Sequence, residues 1–132
     1  MEAKAMKEGC IEFIYRADRK CVEQAAVTRS DNARLILDEK QLCMLSTILK
    51  FLFSPEFDER ANVPGEYKGF MDETYQFREN AKRDPDRAKI TLDFVPDEMP
   101  TFSARELKKI YDDMNTLTHR VALDMAMDLG LQ

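Results

Sequence analysis

His119 is the one histidine of the chain, so any imidazole chemistry would have to run through it. A general base needs a group that orients the ring. In the helix that its surroundings predict, the i−4 and i−3 neighbours are Asn115 and Thr116, and Asp112 lies seven residues away, about two turns. His119 is therefore read as an ordinary helix side chain. Cys10, Cys21 and Cys43 could supply a nucleophilic thiolate only with a base beside them, and their spacing matches neither a zinc nor a redox motif. Cys10 and Cys21 are read as small core residues. No catalytic residue, metal ligand or cofactor is assigned, since four scattered glycines also leave no phosphate-cradling loop.

Charged and aromatic groups carry the remaining possibilities. Asp112 and Asp113 should lie on a solvated helix face, and Asp124 and Asp128 form an i,i+4 pair near a helix C-terminus, where the dipole disfavours negative charge. That conflict points to a partner or a cation at the pair, against the plainer reading of an acidic solvated face. Arg29 and Arg34 in one stretch, and Arg83, Arg87 and Lys89 in another, form an anion-binding patch if two strands bring them together. Among the aromatics crowding the middle of the chain, Phe57, Tyr67 and Phe70 stand out as anchors for another protein, with Ser54 to Phe77 as the contact region.

Composition bounds these ideas. A chain of 132 residues, 44% hydrophobic and 34% charged, reads as one globular domain over residues 1–132. The net charge of −5 argues against direct nucleic-acid binding. Residues 1–53 carry +1 and residues 54–132 carry −6. The absence of any long apolar run, and of a signal-like start, argues for a cytoplasmic protein with no membrane role, and the odd cysteine count suits a reducing compartment.

The elements that must position these groups follow from periodicity. Met6, Cys10, Ile14, Ala17, Cys21 and Ala25 recur at helical spacing and predict a first helix from about Lys4 to Val27, against a rival strand over Ile11, Phe13 and Tyr15. A strand over 33–37 follows. Asp38 with Gln41 forms a capping box opening a helix to about Phe53. Ser54 to Gly65 reads as a loop, Glu66 to Arg83 as a helix and Ala88 to Val95 as a strand closed by Pro96 and Pro100. Ser103 with Glu106 then caps a helix over about Ala104 to Leu129, ended by Gly130.

Asp31–Asp38 resembles Asp86–Asp93, so the expected fold is mainly α: four helices with two short strands, a doubled helix–strand–helix unit around a two-stranded antiparallel ribbon. The functional expectation is a small binding or regulatory protein acting through protein contacts, a second copy of itself included. A nucleotide-like anion on the Arg/Lys patch is the alternative. A further alternative is an acidic inhibitor, of the kind mobile elements encode, that occludes a nucleic-acid-binding site on an enzyme.

Overall fold

A computed structural model describes residues 2–54 and 68–130, with the side chains of 68–72 outside the description. Its described residues form three helices and six strands, not four helices and two strands. Strands β1 (Lys4–Glu8), β2 (Ile11–Arg16), β3 (Cys21–Thr28) and β4 (Arg34–Asp38) make an antiparallel meander in that order. Helices α1 (Glu39–Phe53) and α2 (Lys68–Arg83) follow. A short ribbon of β5 (Lys89–Thr91) and β6 (Thr101–Ser103) leads into α3 (Ala104–Asp128). The fold is α+β.

The expected first helix is thus three strands. The helical stripe lost to the alternation of Ile11, Phe13 and Tyr15, which are buried while Glu12, Ile14 and Arg16 are only half-buried. Two tight turns enforce it. Gly9, at φ +54°, opens a two-residue loop with Cys10, and Lys20, at φ +51°, closes the turn begun at Ala17. The paired register then stacks Ile11, Val27 and Leu35 in one row and Phe13, Ala25 and Leu37 in the next, all on one face. A helix over 4–27 would scatter these side chains around its circumference.

The proposed ribbon between the two similar segments is also overturned. β4 pairs with β3, and β5 pairs with β6. Thr101–Ser103 lies past Pro96 and Pro100, which in sequence close the preceding strand, yet Pro100 places its carbonyl to accept from Leu92 N–H at 2.9 Å and start the ribbon. Local signals fared better. Gln41 N–H donates to Asp38 Oδ1 at 2.8 Å and Asp38 N–H to Gln41 Oε1 at 3.0 Å. Glu106 N–H and Ser103 Oγ, with Ser103 N–H and Glu106 Oε1, repeat the reciprocal pattern at 3.1 Å each.

The chain divides into two compact units, one of Met1–Cys43 with Lys109–Gln132, the other of Met44–Lys108. In the first, the sheet's inner face meets the apolar side of α3, where Ile110, Met114, Leu117 and Val121 are buried. In the second, Leu45, Ile48, Leu49 and Leu52 of α1 are buried, as are Phe77, Leu92, Phe102 and Leu107. Phe51 and Tyr75 stack edge to face at 5.0 Å, with the Arg78 guanidinium 5.1 and 5.0 Å from their ring centroids. Among the described residues no helix is long and apolar enough to cross a membrane.

Gly9 has a second reason to be glycine. A Cβ there would run into the Asp113 carboxylate, whereas one on Gly130, which shares the positive φ at +67°, would meet nothing within 4 Å. Gly9→Ala should therefore lower stability by roughly 1–3 kcal/mol, and Gly130→Ala by about 1 kcal/mol or less. Urea unfolding of the two variants beside the parent checks the contrast.

Candidate functional site

The aspartates singled out for a partner are mostly engaged within the first unit. Asp113 accepts from Cys10 N–H at 3.0 Å and from Lys109 Nζ at 3.0 Å. Asp124 accepts from the Tyr15 hydroxyl at 2.6 Å and from Lys4 at 3.2 Å, and Asp128 lies 2.6 Å from the same lysine. The cation implied by the i,i+4 pair is therefore Lys4. Between these contacts Arg120 donates to Glu8 at 2.6 Å and to the Lys7 carbonyl at 3.3 Å. Asp112 stands exposed.

The sheet register explains why these partners meet. Opposite residues share a face, so Lys4, Met6 and Glu8 of β1 stand on the same side as Tyr15, Phe13 and Ile11. The edge strand thus offers a cation and an anion to the flank of α3. Spacing fits as well: eleven helical residues from Asp113 to Asp124 rise about 16 Å, and five strand residues from Cys10 to Tyr15 about 17 Å.

Electrostatics follow this geometry. Bonds from Tyr15 and Lys4 hold Asp124 below the ordinary 3.8 of an aspartate. Burial pushes the Asp113 carboxyl up, but the Cys10 N–H and Lys109 outweigh it and the net direction is down. Burial and the neighbouring Asp113 push the Cys10 thiol up to about 11, which keeps it protonated and poorly nucleophilic at neutral pH. His119 is exposed, and among the described residues no three His, Cys, Asp or Glu side chains are grouped to hold a metal.

The basic residues are found in two separate settings. Arg29 closes the β3–β4 turn, its N–H donating to the Ala33 carbonyl at 2.8 Å. Arg34 projects from the outer face of the sheet, 3.3 Å from Glu12, beside a shallow depression that Lys7, Ala26 and Thr28 also line. In the other unit Arg83 and Arg87 line a second depression with Asn80, Asp84 and Ala88, and Arg87 lies 3.4 Å from Asp84. Lys89 is exposed on β5 opposite Ser103. The strand pairing that was to unite these cations is replaced by β3–β4 and β5–β6, and a carboxylate stands beside one arginine of each group.

Of the expected aromatic anchors, Phe57 and Tyr67 lie outside the described residues, as does the side chain of Phe70 on α2. The described aromatics nearby are packed: Phe77 is 5% exposed and Phe51 4%. Compared with protein-family models, curated proteins and solved structures, the chain matches none. Apolar exposure occurs elsewhere, at Leu123 (54%) and Met127 (62%) on the outward side of α3 and at Ile36 (47%) on β4. The first two were legible as an i,i+4 pair off the stripe of Leu117, Val121 and Met125. Ile36 required knowing which face of β4 is buried.

Tyr15→Phe isolates the bond that lowers the Asp124 carboxyl. A depressed carboxylate contributes stability that is complete above the unfolded value near 4 and is lost as pH falls through the lower folded value. The variant should be less stable by roughly 1–2 kcal/mol at pH 7, with the difference shrinking towards pH 2 as Asp124 protonates. Urea midpoints measured from pH 2 to 7 check both the size and the sign.

Proposed function

We propose that this chain is a non-catalytic binding protein that acts through protein–protein contact, with the outward side of α3 as its contact surface. The observation that carries the reading is the exposure of Leu123 and Met127 on a helix whose opposite side is already buried in the first unit. Ala122 and Ala126 fall on the same side at helical spacing, so the apolar strip runs for about one and a half turns. Large side chains left in solvent as a contiguous strip mark interaction surfaces more often than isolated ones do.

The partner's chemistry follows from the surroundings. Asp112 lies on the same line of the helix three turns before Leu123, and the whole chain carries −5. A protein presenting apolar side chains within a basic rim is complementary to that arrangement, and electrostatic attraction would raise its association rate. The acidic-inhibitor reading loses its main support, because Asp113, Asp124 and Asp128 are bound to Cys10, Tyr15, Lys4 and Lys109.

The test compares the tagged full chain with the double variant L123E/M127E in capture from the cells that produce it, after confirming equal melting temperatures. The parent should retain a basic protein that the variant loses by at least about tenfold. Equal recovery on both, or none on either, would remove the proposal.

A further inference from the structure

Among the described residues the meander leaves two strand edges, and they differ in how they are protected. β1 carries Lys4 and Glu8 on its inner face and Lys7 on its outer face, with Lys4 and Glu8 drawn into ion pairs with α3. Inward charge and lysine are common devices against edge-to-edge pairing. β4, with sequence Arg34-Leu35-Ile36-Leu37-Asp38, has neither lysine nor proline, and both its inward residues are fully buried leucines.

The hydrogen-bonding phase of β4 can be read from its turn. Arg29 N–H donates to the Ala33 carbonyl, and Asn32, at φ +68°, returns its N–H to the Arg29 carbonyl, so 29 and 33 form a bonded pair. Antiparallel pairs alternate between bonded and unbonded. Val27 with Leu35 and Ala25 with Leu37 are then the bonded pairs to β3, and the backbone N–H and C=O groups of Arg34 and Ile36 point away from it. Asp38 N–H agrees with this phase, since it turns instead to Gln41 Oε1.

From this we infer that the chain self-associates through β4, two copies pairing antiparallel about a dyad at Ile36. The strand is complementary to its own reversal. Ile36 meets Ile36 of the second copy and exchanges two backbone hydrogen bonds with it. Arg34 stands opposite Asp38 at each end, which places a guanidinium beside a carboxylate twice, and Leu35 opposite Leu37 extends the inner apolar row. Arg34, Ile36 and Asp38 are exposed, so the outer half of this contact is open to a partner, and Arg34 is 3.3 Å from Glu12, within reach of a shared ion-pair network. Pairing β4 in this way gives one eight-stranded sheet ended by two β1 strands. The contact is short, and association at roughly tens to hundreds of micromolar is expected. It uses no residue of the α3 surface and stands or falls apart from it.

Analytical ultracentrifugation of the full chain from about 5 µM to 1 mM, with amide exchange at both ends of that range, tests the inference. The parent should shift towards twice its monomer mass, and the Ile36 amide should become protected as concentration rises. I36K, which sets like charges against each other at the dyad, should remain monomeric, and R34E, which sets carboxylates opposite Asp38, should weaken association at least about tenfold. If I36K fails to fold, R34E and the Ile36 amide carry the test. A parent that stays monomeric at 1 mM overturns the inference. So does a dimer that survives both substitutions or leaves the Ile36 amide unprotected.

Discussion

The first unit depends on one piece of registration: α3 lies along β2 with Asp113 at the Cys10 backbone and Asp124 at the Tyr15 hydroxyl. Neither bond is strong enough alone to hold a helix on a sheet, since each contributes on the order of 1 kcal/mol net. Their value lies in position. A helix sliding by one turn over the row of Ile11, Phe13 and Tyr15 would keep most of its apolar contact, because Ile110, Met114, Leu117 and Val121 repeat every turn. It would, however, separate Asp113 from Cys10 N–H, Arg120 from Glu8 and Asp124 from Tyr15 together. The apolar face supplies most of the attraction, and the polar contacts select the alignment.

That division of labour explains which features were readable in the chain. Both capping boxes were, because donor and acceptor sit three residues apart in Asp38/Gln41 and Ser103/Glu106, and so were the three helices those boxes and Pro85 delimit. The four-stranded sheet was not. Residues 4–27 satisfy a helical period and an alternating one at once, and the choice is made by partners distant in sequence: Val27 and Leu35 beside Ile11, and α3 more than ninety residues later. Gly9 and the Ala17–Lys20 turn were the local clues that a single helix should have been broken twice.

The same reasoning applies to the candidate site. In sequence Asp113 belongs to a solvated helix face, and Asp124 with Asp128 forms a misplaced pair at a helix C-terminus. Each has its explanation in the amino-terminal hairpin, where Lys4, Cys10 and Tyr15 stand. The matching cation lay 120 residues away from Asp124, beyond any local pattern. Large apolar side chains remain exposed on the folded unit at Leu123 and Met127 on α3 and at Ile36 on β4. Leu123 and Met127 lie off the apolar stripe of α3, whereas Ile36 is placed on the surface only once the buried face of β4 is known. The proposed contact accordingly rests on these side chains and not on the aspartates.

Native-state amide hydrogen exchange, followed residue by residue, addresses the registration most directly. If α3 is locked to β2 as described, the amides of Leu117 and Val121 should open together with those of Phe13 and Ala25, with one shared free energy and one dependence on denaturant. Exchange from α3 at much lower free energy than from β2 and β3, with the sheet remaining protected, would show that the meander stands without the helix and contradict the account.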